Sequence, residues 1–185
     1  MIPRRLQRQL TDPFRKTINR APSPFLARAV PWLSVMLASL APTSSVIASA
    51  PVLPPLGFMF LLSWRQLRPG LLPVWAGLPL GLFDDLYSGQ PFGSAMLTWS
   101  LAMIVLDMIE ARFPWRSFLF NWAEAAGLVA VYLLLGLTFA NAAGGATPVR
   151  VLVPQLAISL LLYPLAGRIV SLFDRFRLLP FREIA

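Results

Sequence analysis

The stretch GLFDDLYSGQPFG, residues 81–93, places two adjacent aspartates, Asp84 and Asp85, inside a long apolar part of the chain. Three glycines and a proline surround the two acids. A carboxylate within hydrocarbon is costly and by default marks a functional position. What these two acids contact is therefore the main question that the sequence raises.

The composition predicts an integral membrane protein. Of the 185 residues, 57% are hydrophobic and 13% are charged, whereas about a quarter of the residues of a soluble domain are charged. The chain contains no cysteine and no histidine, so disulfides, thiolate metal sites and the commonest general base are excluded. We therefore expect no catalytic residue, no metal site and no cofactor, and we expect that the protein is not an enzyme.

Six apolar segments are candidates for transmembrane helices. The second is short, since 13 residues of helix reach only about 20 Å of a hydrocarbon core about 30 Å thick. If all six cross the membrane and the N-terminus is inside, every basic residue except Arg150 lies on the inner side, in agreement with the positive-inside rule. The sequence thus predicts an all-α protein with six transmembrane helices and both termini in the cytoplasm. The segments are 29–49, 52–64, 71–88, 93–111, 118–140 and 150–173.

The net charge of +8 is distributed between the apolar segments rather than in one patch, so we expect no nucleic-acid binding. We divide the chain into a basic N-terminal segment (1–28), a six-helix membrane domain (29–173) and a basic tail (174–185). Apolar residues recur every fourth position from Ile2 to Ile18. Residues 1–28 are therefore either a helix that lies on the anionic lipids or on a partner, or a disordered tail that sets topology.

The third segment carries a stripe of small residues that continues into an acid. Gly77, Gly81, Asp85 and Gly89 are spaced by four, which places them on one face of a helix. Two glycines at this spacing let another backbone approach closely. A tight turn follows the stripe. The candidate binding or packing residues of the stripe and turn are Gly77, Gly81, Asp84, Asp85, Gly89, Pro91 and Gly93.

Two interpretations of the acids remain open. In the first, one acid is solvated or caps the next helix, while the other bonds to backbone freed by a kink at Pro79. In the second, one acid faces a small polar pocket, which would be lined by Trp75, Trp99 and the first helical hairpin. We expect Asp85 to face such a pocket, because it shares the glycine stripe. Neighbouring residues of a helix point about 100° apart, which argues against a catalytic pair or a metal site.

A second group of charged residues lies at the inner ends of the fourth and fifth segments. We expect an interhelical network of ion pairs and hydrogen bonds that stabilises packing. A proton or cation relay would instead require acids near the middle of the membrane. The members of this predicted network are Asp107, Glu110, Arg112, Arg116 and Glu124.

The pattern G-x-x-x-D-x-x-x-G-x-P-x-G at residues 81–93 resembles the signature of the rod shape-determining protein MreD family. The basic N-terminus, the proline-rich first hairpin with LLSWRQLRPG at 61–70 and the chain length are also similar. The resemblance covers roughly residues 30–173. Two features depart from the family pattern. Asp84 replaces an apolar residue that usually precedes the aspartate, and the N-terminal extension is longer than usual.

The resemblance implies a non-enzymatic component of the bacterial inner membrane that regulates cell shape and lateral peptidoglycan synthesis. Its partners in the elongation complex would be a periplasmic MreC-like protein and, directly or indirectly, RodA and a class B penicillin-binding transpeptidase. An MreB-like filament would be contacted indirectly. The implied fold is similar to the substrate-binding component of energy-coupling-factor transporters. An alternative function is that of a transporter-like protein that binds a small molecule or a lipid.

Overall fold

The computed structural model describes residues 24–44, 53–113, 115 and 117–178, together with 20–21 and 182–183. A helix lies in each of the six predicted apolar segments. The helical stripe predicted between Ile2 and Ile18 lies outside the described residues. The helices are α1 (Pro24–Ser44), α2 (Leu56–Leu67), α3 (Gly77–Tyr87), α4 (Ser94–Arg112), α5 (Phe118–Ala142) and α6 (Leu152–Arg177), with single 3-10 turns at Val74–Ala76 and Val149–Val151.

Three parts of the chain form helices that are long and apolar enough to cross a membrane: Ser94–Arg112, Phe118–Ala142 and Val149–Arg177. The apolar part of α1, Phe25–Ala41, is shorter. The 12 residues of α2 and the 11 residues of α3 reach about 18 and 17 Å, respectively. The protein is therefore a helical membrane protein with three candidate spans and three shorter apolar helices.

Helix α2 lies at the centre of the bundle. Residues 57–65 are all buried, and the helix packs against α1, α5 and α6. A helix that is apolar on every face is stable where neighbours surround it. The indole of Trp64 donates to Ser34 Oγ of α1 over 2.8 Å, so the one polar atom of this large core side chain is satisfied.

The two ends of the bundle differ in the chain segments that they contain. At one end, called here the terminal end, residues 20–21 pair antiparallel with residues 182–183. There Arg177 of α6 donates to the carbonyl of Ala27 in α1 over 3.0 Å. At the opposite end, Gln155 of α6 donates to the carbonyl of Leu53, which precedes α2, over 2.8 Å. Both described chain ends thus lie on the same side of the bundle.

Pro79 does not kink a long helix, in contrast to the expectation from the sequence. Helix α3 begins at Gly77, so Pro79 lies in its first turn. The backbone N–H groups of a first turn have no partner within the helix, and a proline there removes no hydrogen bond. The 3-10 turn Val74–Ala76 directly precedes α3.

Candidate functional site

Asp85 caps the N-terminus of α4 from the end of α3. Its carboxylate accepts hydrogen bonds from the backbone N–H groups of Gly93 (3.0 Å), Ala95 (2.8 Å) and Met96 (3.0 Å). The hydroxyl of Ser94 donates to the same carboxylate over 3.3 Å. The first N–H groups of a helix have no partner within it and attract negative charge. Asp85, which is 6% exposed, therefore stabilises the α3–α4 hairpin as an internal cap.

The turn between α3 and α4 depends on two glycines. Gly89 and Gly93 have φ values of 69° and 92°, in the left-handed region that residues with a Cβ rarely adopt. Between them, the carbonyl of Pro91 accepts from the N–H of Ser94 over 3.0 Å. This backbone path returns the chain so that the first N–H groups of α4 point at Asp85.

The glycine stripe of α3 packs against α4 inside the molecule. A Cβ atom at Gly77 would lie 2.7 Å from the carbonyl oxygen of Trp99, and one at Gly81 would lie 2.7 Å from that of Ala95. Both contacts are shorter than any Cβ tolerates. The stripe thus allows close approach of two backbones, as its spacing predicts, and its partner is α4 of the same chain.

Asp84, and not Asp85, faces a cavity at the end of the bundle opposite the terminal end. The cavity has a volume of about 270 Å³ and is lined by the end of α1, the start of α2, the end of α3, and parts of α5 and α6. Asp84 is 7% exposed. The expectation that Asp85 faces a pocket is therefore wrong, because the four donors of α4 turn that carboxylate away from it. Polar lining residues are Ser39, Asp84, Ser88, Gln90, Tyr132 and Gln155.

Neither tryptophan expected in the pocket lines this cavity. Trp99 is fully buried in the core, where its ring lies 5.8 Å from that of Phe58. Trp75 is exposed and lies 5.6 Å from the ring of Trp32. The first helical hairpin does contribute, through Ser39 and residues 53–57.

Arg65 of α2 connects two acids at the terminal end. Its guanidinium lies 2.5 Å from a carboxylate oxygen of Asp107 and 2.8 Å from one of Glu110. It also donates to the carbonyl of Leu72 over 3.0 Å. Arg65 is 4% exposed, and a buried guanidinium needs such compensation. Because Arg65 directly follows the second apolar segment, its sequence position suggested a membrane-interface residue rather than the centre of this network.

The other predicted members of the network lie in different surroundings. Glu124 accepts a hydrogen bond from Gln66 over 3.1 Å, and the same amide group donates to the carbonyl of Asn121 over 2.9 Å. Arg112 is exposed. Arg116 lies outside the described residues. Two neighbouring residues of α2, Arg65 and Gln66, thus connect α4 and α5 at the terminal end of the bundle.

A further ion network joins α2 to α6, and sequence reasoning did not find it. Asp174 receives hydrogen bonds from Arg68 (3.0 and 2.8 Å) and from Arg177 (2.8 Å). The hydrogen bond to Asp174, together with its charge, raises the pKa of Arg68 above the ordinary value. Arg177 also lies over the ring of Trp64, 5.7 Å from its centre. Arg68 and Asp174 are 106 residues apart, and no spacing in the sequence connects them.

The acids described above act mainly as structural groups. Asp85 satisfies backbone donors, while Asp107, Glu110 and Asp174 neutralise arginines. Among the residues that the structure describes, no three His, Cys, Asp or Glu side chains are grouped so that they could hold a metal ion. Asp84 is the acid whose surroundings are open to a ligand.

Comparison with known proteins identifies the family of this chain. A family model described as rod shape-determining protein MreD matches residues 24–172. No curated protein and no solved structure matches the chain. The matched region contains all of helices α1 to α5, the Asp85 cap and the cavity beside Asp84. The chain therefore belongs to the rod shape-determining protein MreD family.

Proposed function

We propose that this protein is a non-enzymatic component of the machinery that builds the lateral cell wall, and that it acts by binding an MreC-like protein in the bacterial inner membrane. The family match over residues 24–172 carries the proposal, because the family is defined by rod shape determination. Through the MreC-like protein, the chain would influence RodA and a class B penicillin-binding transpeptidase. An MreB-like filament would be reached indirectly.

Helix-to-helix packing within the membrane is the mode of binding that the surface supports. Helix α4 exposes one continuous apolar face, and α6 exposes another. A single transmembrane helix of a partner could pack on either face through van der Waals contacts. The exposed residues of α4 on this face are Leu97, Leu101, Ile104, Val105 and Met108.

Photo-crosslinking in living cells tests this function. A crosslinking amino acid would replace Leu37 of α1, Leu101 of α4 or Leu161 of α6, one at a time, because these side chains are exposed on three different helices. We expect the MreC-like protein to crosslink from one position in a light-dependent manner, and depletion of the chain to turn rods into spheres. Equal crosslinking from all three positions, or from none, together with normal rods after depletion, would contradict the proposal.

We also propose that all six helices cross the membrane, with the terminal end in the cytoplasm. Arg28, Arg65, Arg68, Arg112 and Arg177 belong to helix ends or loops on that side, and the contacts of Arg177 with α1 and of Arg68 with α6 support this grouping. The positive-inside rule assigns a basic side to the cytoplasm. The short helix α2 is compatible with crossing because its residues 57–65 are all buried within the bundle, and α3 packs against α1 and α4.

Cysteine labelling tests the proposed topology, and the absence of native cysteine makes each introduced thiol unique. We expect a membrane-impermeant maleimide to label Phe92→Cys and Ala146→Cys in spheroplasts. Pro69→Cys and Trp115→Cys should react only after the membrane is permeabilised. Labelling of Pro69→Cys in intact spheroplasts would show that α2 and α3 do not both cross.

A further inference from the structure

The cavity beside Asp84 has the size and lining of a small ligand site. Its volume of about 270 Å³ lies near the lower end of the range of ligand pockets, which is about 300–1,000 Å³. Leu53, Pro54, Pro55 and Leu56 form an apolar wall. The polar groups of Ser39, Asp84, Ser88, Gln90, Tyr132 and Gln155 lie around the same space. Ligand sites combine apolar walls with a few polar groups in this way.

Among the residues that the structure describes, no cation balances the charge of Asp84. No arginine or lysine is among the lining residues of the cavity, and the ion pairs of the described chain leave Asp84 out. The adjacent Asp85, in contrast, accepts four hydrogen bonds from the start of α4. A buried carboxylate without a cation beside it is strongly disfavoured, so a cationic ligand would offset a cost that the described residues leave in place.

The hydroxyl of Ser39 is a second polar group of the cavity. Ser39 is 4% exposed, and in the described part of the chain its hydroxyl makes no hydrogen bond. The hydroxyl has room because residue 57 is glycine, where a Cβ atom would collide with Ser39 Oγ. Buried hydroxyls are normally satisfied by protein, water or a ligand. Ser39 therefore offers its hydroxyl, next to Asp84, to a ligand in the cavity that both residues line.

Contacts with the surrounding protein hold the remaining polar side chains of the cavity in place. The amide of Gln90 donates to the hydroxyl of Tyr132 over 3.2 Å, and the amide of Gln155 donates to the carbonyl of Leu53 over 2.8 Å. The ring of Tyr132 stacks on that of Phe58 with centroids 4.7 Å apart. A site with such fixed walls loses little conformational entropy when a ligand binds.

We propose that this cavity binds the primary ammonium group of a small amine or of a phospholipid headgroup, with Asp84 as the counter-charge and Ser39 as a second hydrogen-bond acceptor. An ammonium group offers three donors and no acceptor, which matches a carboxylate and hydroxyls. This ligand goes beyond the function proposed above.

Calorimetric titration of the full chain in detergent tests the proposed charge recognition. Ethanolamine is the probe, and ethylene glycol is the matched probe in which a hydroxyl replaces the ammonium group. We expect saturable binding of ethanolamine and none of ethylene glycol. Asp84→Asn should weaken ethanolamine binding about tenfold or more, as expected for the loss of a charged hydrogen bond. Asp107→Asn, which removes a carboxylate at the terminal end, should bind as the wild type does.

Native mass spectrometry separates the two sources of the ammonium group. The wild-type chain would be released from nanodiscs that contain phosphatidylethanolamine or phosphatidylcholine, whose headgroup has no N–H donor. Retention of phosphatidylethanolamine without binding of free ethanolamine assigns the site to the lipid, and the reverse assigns it to a free amine. If neither binds, if ethylene glycol binds as well as ethanolamine, or if folded Asp84→Asn binds unchanged, the proposal is overturned. If Asp84→Asn does not fold, the proposal is still tested on the wild type, by comparing ethanolamine with ethylene glycol and phosphatidylethanolamine with phosphatidylcholine.

Discussion

Replacement of Gly81 by leucine should separate α3 from α4 and lower the free energy of unfolding by about 3 kcal/mol, the upper part of the range for overpacked cores. A Cβ atom at residue 81 would lie 2.7 Å from both the carbonyl oxygen of Ala95 and the Cα atom of Met96. These are backbone atoms of a helix, so they cannot move aside by a change of rotamer. The two helices must instead move apart, and the Asp85 cap would be lost with their contact.

Thermal unfolding of the purified chain in detergent, followed by tryptophan fluorescence, measures this effect. Gly127→Leu in α5 is the matched control, because nothing lies within 4 Å of a Cβ atom at that residue. Leucine also favours helix relative to glycine, so the control should be as stable as the wild type or more stable. Equal melting temperatures for Gly81→Leu and wild type would contradict internal packing. Loss of the MreC-like partner from such a stable variant would assign the stripe to the partner interface.

Replacement of Asp85 by alanine should lower the free energy of unfolding by about 2 kcal/mol or more, which combines the loss of a helix cap with buried donors left unsatisfied. The N–H groups of Gly93, Ala95 and Met96 all donate to this carboxylate. Without the carboxylate, these N–H groups lose their acceptor, and leaving buried donors unsatisfied costs free energy. The effect should be local to the α3–α4 hairpin before the whole bundle unfolds.

Amide hydrogen exchange resolves this effect by residue. In Asp85→Ala, residues 93–96 should exchange faster than in the wild type, while the centre of α2 should keep its protection. Asp85→Asn should have an intermediate effect, because the amide retains one acceptor oxygen. Asp107→Asn is the control for loss of charge, since Asp107 is 54% exposed and Glu110 still pairs with Arg65. Unchanged exchange at residues 93–96 in Asp85→Ala would show that the carboxylate does not cap α4 in solution.

The positions of the helices could be predicted from the sequence. Long apolar stretches interrupted by arginine, proline and glycine predict helices and loops, and a helix lies in each of the six predicted segments. The boundaries of the first three segments were less accurate: α1 begins at Pro24 rather than at residue 29, and α2 spans Leu56–Leu67 rather than 52–64. The predicted third segment, 71–88, contains a 3-10 turn before α3 begins at Gly77, because Pro73 is extended at that point and has no N–H with which to continue a helix.

The roles of the two aspartates could not be assigned from their spacing. Asp84 and Asp85 are neighbours on a helix. From the sequence alone, either side chain could face a pocket, and either could face the start of α4. One interpretation of the sequence was that one acid caps the following helix, and Asp85 does so. The choice depends on where the turn at Gly89 and Gly93 delivers the first N–H groups of α4, which is a matter of backbone geometry.

By itself, the sequence determined that this is a helical membrane protein without cysteine or histidine, that its third helix carries a close-packing stripe, and that it resembles the MreD family. The first two properties follow from composition and from periodicity along the chain, which are local, and the resemblance is carried by the motif at residues 81–93. Only the tertiary structure decided that Asp84 faces the cavity and that Arg65 joins Asp107 and Glu110. It also decided that Asp174 pairs with Arg68. Each of these contacts joins groups from separate helices, whose approach depends on how the whole bundle packs around α2.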